Sequence, residues 1–154
     1  MNRIEAIRQI IDSHPDAAFV LSNGLTSREA GYLFGQNNHL YLLHGMGEAL
    51  SVAIGLRSVL NNIDVVVVDG DGNALMGLSA WSMLPIQGIY YYVLVNGVYE
   101  TTGAQPIPCL PDSVHVTKLY IDLGKQNTPN PSLPCETMKK FEAWLNSKMV
   151  VKDV

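Results

Sequence analysis

Residues 65–77, VVVVDGDGNALMG, run four valines into an aspartate set between two glycines. Four β-branched residues without polar alternation predict a central parallel strand covered on both faces. ALMGLSAWSML then reads as the returning helix, halted at Pro85, and IYYYVLV as the next strand, ending at Asn96. The unit is βαβ. A glycine-rich turn that opens a helix is shaped to receive phosphate on main-chain N–H groups, and Asp71 contradicts that shape. A carboxylate about 4 Å from one phosphate charge costs roughly 4 kcal/mol at an effective dielectric near 20, more than a helix N-terminus returns. No lysine or arginine lies between Asn61 and Glu100. A divalent cation shared by Asp71 and phosphate oxygens removes the conflict, and magnesium is the economical candidate.

Magnesium takes oxygen donors and few protein ligands. Asn96, 25 positions after Asp71 and across one helix and one strand, offers an amide oxygen at the same sheet edge. Gly97 frees the backbone, so the Val98 carbonyl can turn inward as a third ligand, while the N–H groups of Gly72 and Asn73 face the phosphates. A plainer alternative stands beside this one: GDG is only a tight turn and Asn96 an ordinary turn residue. A dinucleotide fold fits less well. The glycines at 70, 72 and 77 miss the G-x-G-x-x-G spacing, and no acidic residue closes the second strand to hold a ribose.

Outward from this unit the alternation continues. Ile4, Ile7, Ile10 and Ile11 fall at helical spacing before Pro15, AAFVLSN reads as a short buried strand turning at Gly24, and Thr26 or Ser27 is placed to cap a short helix. HLYLLHG is a second apolar run. From Gly45 to Asn61 one helical face is apolar, with Gly47, Ala53 and Gly55 allowing close packing. After Asn96, GVYETTGAQPIPCLPD shows no period and reads as a long covering loop. VHVTKLYIDLG is a last strand, KQNTPNPSLP an extended connection, and CETMKKFEAWLNSKM a closing helix with Met138, Phe141, Trp144 and Leu145 inward. The pattern predicts one α/β three-layer domain over residues 1–154, with a mainly parallel sheet whose ligands bind at the carboxyl ends of its strands.

Composition excludes several partners. The 154 residues carry a net charge of −4 with no Lys/Arg cluster, which argues against a nucleic-acid surface. No stretch approaches the roughly 20 apolar residues of a membrane span, and the N-terminal segment mixes charge with apolar residues unlike a secretory signal, so the expectation is a cytoplasmic protein with no membrane partner. Cys109 and Cys135 have no metal-type spacing and are expected to be inert thiols in a reducing compartment.

GDGNALMG followed by LVNGVYETTGAQP resembles the cofactor-binding signature of thiamine-diphosphate-dependent decarboxylases. LSNGLTSRE, HGMGEALSVAIGL and the NG-x-Y-x-x-TG-x-Q-P loop are similar to the phosphonopyruvate and sulfopyruvate decarboxylases in particular, over roughly residues 17–108. The resemblance implies a thiamine-diphosphate-binding fold in its diphosphate-binding half. It implies Asp71, Asn96 and the Val98 carbonyl as Mg2+ ligands. Gly70, Gly72, Asn73, Ala74, Val98 and Tyr99 would bind the diphosphate end of the cofactor. Met46 would sit under the cofactor and hold it bent, with His44 and Gly45 beside it. The His44 main-chain carbonyl would receive the cofactor's amino group, and its imidazole could face the substrate, since imidazole suits proton transfer near neutral pH. Glu100 is the second candidate catalytic residue, bordering the substrate. Three positions depart from the family pattern: Val95 replaces the first of two asparagines, His44 replaces a glycine, and the loop passes to the last strand without an intervening helix.

In that family the cofactor carries the chemistry by which a 2-oxo acid loses carbon dioxide and an aldehyde is released. The activating glutamate belongs to a separate pyrimidine-binding domain, which this length does not hold. The resemblance therefore implies a β-type subunit whose active site is completed by a pyrimidine-binding α-type subunit, in a hetero-oligomer with self-association, acting on a small anionic 2-oxo acid. The pocket-side segments offer only His44, backbone amides and hydroxyls to an anionic substrate, so its strong ligands are expected on the partner. Carboligation, a non-catalytic partner subunit that kept the fold, and a metal-dependent nucleotide binder remain alternatives.

Overall fold

The four valines form the third strand of a five-stranded sheet in the computed structural model, which describes residues 1–60 and 62–149. The chain runs α1 (Arg3–Ser13), β1 (Ala18–Leu21), α2 (Leu25–Phe34), β2 (His39–Tyr41), α3 (Ala49–Val59), β3 (Val65–Gly70) and α4 (Asp71–Met76). A 3-10 helix (Leu78–Met83) precedes β4 (Ile89–Val95), β5 (Val98–Tyr99), β6 (Gln105–Pro106), β7 (Thr117–Tyr120) and α5 (Pro134–Met149). α1 starts at a capping box. The Asn2 side chain accepts the Glu5 N–H at 2.9 Å and the Glu5 carboxylate accepts the Asn2 N–H at 3.0 Å.

The sheet order is β2-β1-β3-β4-β7 and every pair in it is parallel. From β1 the chain steps outward to β2, then crosses back to β3 and proceeds the other way. The order therefore reverses between β1 and β3, and such a reversal opens a crevice above the carboxyl ends of the two strands.

Side chains alternate across the sheet with period two and both faces are covered. On one face Phe19, Leu21, Val66 and Val68 pack with Ile7 and Ile10 of α1 and Ala30 of α2. On the other, Val20, Val65 and Val67 pack with Leu50 and Ala53 of α3 and Phe141 of α5. All four valines of β3 are 0% exposed, which is why the run shows no polar alternation. The fold is the expected α/β three-layer domain with a parallel central sheet.

Several local expectations are corrected. Thr26 and Ser27 cap nothing: α2 begins at Leu25 behind Gly24, which has φ +86°, and Ser27 Oγ instead donates to the Leu21 carbonyl at 2.9 Å. α3 begins at Ala49 rather than Gly45, because Gly45 and Gly47 have φ of +77° and +84° and form a turn; Asn61 lies outside the described residues. Gly55 faces open space, so it allows no close packing. The returning helix is broken at Gly77, where a Cβ would lie 2.1 Å from the Gly47 carbonyl oxygen: two backbones meet there. The covering loop holds a short antiparallel pair, β5 with β6. On α5, Phe141 is buried and Trp144 and Leu145 are partly buried against the same cluster, but Met138 is 45% exposed. Both cysteines are free and exposed, and no described helix is long and apolar enough to cross a membrane.

Candidate functional site

A pocket opens at the reversal point. Its walls include Asn23, Thr26, Met46, Gly70, Asp71, Asn73, Asn96, Val98 and Glu100. β3 and β4 deliver Asp71 and Asn96 side by side because the two strands are paired in register up to Gly70 and Leu94. Asp71 is 5% exposed and its carboxylate organises the neighbouring turn. Oδ2 accepts the N–H groups of Asn96 at 3.0 Å and Gly97 at 2.7 Å, and Oδ1 accepts the Gly72 N–H at 3.0 Å. Gly97, with φ +79°, makes the reversal that turns both N–H groups toward Asp71. The Asn96 amide spans the turn: Oδ1 accepts the Val98 N–H at 3.0 Å and Nδ2 donates to Glu100 Oε2 at 3.0 Å.

Gly72 has a steric reason. A Cβ there would fall 2.7 Å from the Tyr99 ring, so only glycine lets Tyr99 lie over the start of α4. Asn73 reaches across the crevice and its Nδ2 donates to the Asn23 carbonyl at 3.4 Å. Met46 reaches the pocket from the turn before α3. That turn is fixed by the Gly47–Gly77 contact, yet Met46 itself is 52% exposed.

Of the residues singled out in the sequence, the pocket gathers Met46, Gly70, Asp71, Gly72, Asn73, Asn96, Val98, Tyr99 and Glu100. It does not gather His44, Gly45 or Ala74. His44 is exposed outside the pocket, Gly45 sits against the Glu48 side chain, and Ala74 is buried in the core at 1% exposed. Asp69 and Asp71, two residues apart in sequence, have opposite surroundings. Asp69 is buried at 1% exposed beneath the pocket floor, accepts the Tyr91 hydroxyl at 3.0 Å and the Gly70 N–H at 2.9 Å, and burial pushes its carboxyl up to about 6.

Arg3 is the residue that sequence reasoning missed. It comes from α1, lines the pocket, and is 6% exposed. Nη1 faces Glu29 Oε1 at 3.3 Å and donates to the Gly124 carbonyl at 2.9 Å, and Nη2 pairs with Glu100. A cation therefore does stand in the pocket wall. Two carboxylates offset its one charge, so the conflict between Asp71 and a phosphate is unrelieved. Among the described residues no group of three or more His, Cys, Asp and Glu side chains is arranged to hold a metal ion. An ion beside Asp71 would rest on one carboxylate with amide, carbonyl and ligand oxygens. The β1–α2 turn was missed in part as well, although the LSNGLTSRE segment contains Asn23 and Thr26 of the pocket and Glu29 of the Arg3 network.

A parallel sheet with helices on both faces and its pocket at the strand-order reversal defines a doubly wound α/β ligand-binding domain. Residues 23–143 match the family model described as thiamine pyrophosphate enzyme, C-terminal TPP binding domain. That match spans well over half of the chain, and the chain belongs to this family. It is 36% identical over 107 residues to a phosphonopyruvate decarboxylase of Streptomyces hygroscopicus, covering 67% of this chain and 26% of that protein. It is also 36% identical over 108 residues to a sulfopyruvate decarboxylase subunit beta of Methanocaldococcus jannaschii, covering 67% of this chain and 56% of that protein. A sulfopyruvate decarboxylase subunit beta of Methanothermobacter thermautotrophicus is 35% identical over 108 residues, covering 68% of this chain and 58% of that protein. The aligned part is thus about a quarter to somewhat over half of each of these relatives.

Proposed function

We propose that this chain is the diphosphate- and Mg2+-binding subunit of a split thiamine-diphosphate-dependent 2-oxo acid decarboxylase, acting on a small anionic 2-oxo acid and releasing carbon dioxide and an aldehyde. The observation that carries this reading is the Asp71 carboxylate, buried at the meeting of β3 and β4 and bonded to the N–H groups of Asn96 and Gly97. Asp71, Asn96 and Val98 all line the pocket and offer three kinds of hard oxygen donor. Asp71 Oδ1 accepts one N–H, Asn96 Oδ1 accepts one from Val98, and the Val98 carbonyl accepts one from Glu100 at 3.0 Å. Each oxygen keeps a lone pair for a cation. Such a donor set suits Mg2+, which takes few protein ligands and completes its shell with phosphate oxygens and water. Asn23 Oδ1 is buried in the same wall without a hydrogen-bond partner, and a water or ligand N–H at the site would satisfy it.

Bound thiamine diphosphate supplies a nucleophilic carbon and an electron sink for decarboxylation of a 2-oxo acid. This chain's part is to hold and orient. Asp71, Asn96 and Val98 would hold the ion, and Gly72 and Asn73 at the start of α4 would lie beside the diphosphate, with the Gly72 N–H already given to Asp71 Oδ1. Met46 would lie under the cofactor, and Tyr99 lies over Gly72. His44 lies outside the pocket of the single chain. A role for its ring in proton transfer at the substrate therefore requires the partner to close over that side.

Two of the relatives carry the words "subunit beta", which supports a pyrimidine-binding α-type partner for this chain. Co-expression with the neighbouring reading frame tests the whole reading. The complex is expected to retain thiamine diphosphate in a Mg2+-dependent manner and to release aldehyde from a 2-oxo acid. Asp71→Ala is expected to abolish both. Full cofactor retention in that variant removes the site assignment. Retention of cofactor without aldehyde release from any 2-oxo acid redirects the reading to carboligation.

A further inference from the structure

We infer that Glu100 and Arg3 are positioning residues that fix which atom of the Asn96 amide faces the metal. The inference rests on the Mg2+ site proposed above and assigns a role to side chains outside its ligand set.

An asparagine amide has two ends of opposite character. Its oxygen can ligate a cation and its NH2 group repels one, and rotation of the amide by 180° exchanges them. Something must hold the amide one way round. Here Nδ2 donates to Glu100 Oε2 at 3.0 Å and Oδ1 is thereby turned to the side where it accepts the Val98 N–H at 3.0 Å. Carboxylate is the right acceptor for this task because it accepts at both oxygens and donates at neither. A reversed Asn96 amide would bring Oδ1 against Glu100 Oε2, two acceptors with no proton between them.

Glu100 is itself held. Oε1 accepts the Gly124 N–H at 2.8 Å, and Oε2 pairs with Arg3 Nη2. Arg3 is anchored in turn by Glu29, 2% exposed in its side chain, whose Oε1 also accepts the Gln126 N–H at 3.0 Å. The chain of contacts runs from two helices and the segment at 124–126 to the end of β4. Each member has low exposure or a main-chain partner, so the Glu100 carboxylate has little freedom to leave Asn96.

The same geometry decides between two roles for Arg3. As an anion receptor for a substrate carboxylate, sulfonate or phosphonate, it would need a free edge of the guanidinium and a net positive field. Both Nη atoms are engaged, and Glu29 and Glu100 together exceed its charge. Glu100 is equally occupied: both oxygens accept hydrogen bonds, which makes it a support for its neighbours.

The test is a Mg2+ titration of the full chain with its co-expressed partner, at saturating thiamine diphosphate, followed by cofactor-dependent fluorescence quenching or calorimetry. Thermal melting without ligand is the second readout. Glu100→Gln leaves one acceptor oxygen where Asn96, Arg3 and Gly124 supply three donors, which loosens the hold on Asn96, and outer-sphere changes of this kind weaken metal binding roughly 10- to 100-fold. Glu29→Gln is the control, since it loosens the same network without touching Asn96. It is expected to lower the melting temperature while leaving the Mg2+ constant within about two-fold. Arg3→Lys keeps the charge near Glu100 but loses the fork, and is expected to weaken Mg2+ less than Glu100→Gln does. If Glu100→Gln and Glu29→Gln lower the melting temperature alike and neither moves the Mg2+ constant, the residues are merely structural and the inference is overturned while the metal site stands. If the wild-type complex itself shows no Mg2+-dependent cofactor binding, both the site and this inference fall.

Discussion

The two walls of the pocket are built in different ways. At the Asp71–Asn96 wall nearly every polar atom has a partner within the chain, and the support reaches back through Glu100 and Arg3 to α1 and α2. At the Met46 wall the turn at 45–48 closes with one backbone bond, from the Glu48 N–H to the Gly45 carbonyl at 3.1 Å, and Gly47 packs against the backbone of Gly77. Its side chains face outward: Met46 is 52% and Met76 51% exposed. On the reading proposed above, the difference separates the half of the site that this chain completes alone from the half that closes against a partner. Polar groups lose their geometry unless they are satisfied internally, so this wall holds its order within the chain. Apolar groups that press on a ligand need only a surface to close against, and methionine adapts to whatever closes on it.

Breaking the finished wall should have the largest effect on stability. Arg3→Met leaves buried Glu29 and part-buried Glu100 without their cation, and the expected loss is about 3–5 kcal/mol in a urea unfolding experiment. A loss below about 1 kcal/mol would show that this wall owes its order to the backbone bonds of Asp71 instead.

Acid tests the scaffold that both walls share. His39, at the start of edge strand β2, is 1% exposed, and burial pushes its imidazole down from 6.5 to about 4. Above pH 6.5 the ring is neutral in both folded and unfolded chains and contributes nothing to pH dependence. Between pH 6.5 and about 4 the unfolded chain gains a proton that the folded chain refuses, so stability falls by about 3 kcal/mol in total. Asp69 works in the opposite direction between about pH 6 and 3.8, because its folded carboxyl takes up a proton first. The two partly cancel in the native chain. His39→Asn removes one of them, so its unfolding midpoint at pH 4.5, relative to pH 7, is expected to exceed that of the native chain.

The open wall is attacked through the contact between its two glycines. Gly77→Ala drives a methyl group into the Gly47 carbonyl, 2.1 Å away, and the backbone must shift. The expected cost is about 1–3 kcal/mol, with increased proteolysis in the 45–48 turn as a second readout. Unchanged stability would mean that the turn moves freely and fixes nothing. The smallest effect belongs to Met46→Ala. Its half-exposed side chain gives a stability change within about 0.5 kcal/mol in the isolated chain. The proposed cofactor role predicts a marked fall in turnover for the same variant in the assembled enzyme. A large loss of stability in the isolated chain would place Met46 in the core and dissolve the contrast between the walls.

Much of this was legible before any coordinate. VVVV announced a strand covered on both sides, because a side chain that meets helices above and below has no solvent face to mark with a polar residue. Asp71 and Asn96 were legible because parallel strands joined through a helix return to the same sheet edge, which fixes 25 positions of sequence as a near neighbour in space. The ends of helices were read less well. GVYETTGAQP gave no sign of β5 and β6, which are two residues each, too short for any period to show. The helix expected through Gly77 was broken by the carbonyl of Gly47, 30 positions earlier, and no local propensity reports such a contact.

The sequence by itself determined the α/β layering, the strand that carries the pocket, and the two residues most suited to a cation, because each follows from local periodicity or from chain geometry across one βαβ unit. Only the tertiary structure decided that Arg3 stands at the pocket with its charge offset and both Nη atoms engaged, that Glu100 accepts from the Asn96 amide, and that His44 lies outside the pocket. Arg3 meets Gly124 across 121 positions of sequence. A contact of that separation leaves no pattern near either residue; it exists because the start of α1 and the segment leaving β7 end beside each other, as the bond from the Asp122 N–H to the Met1 carbonyl shows.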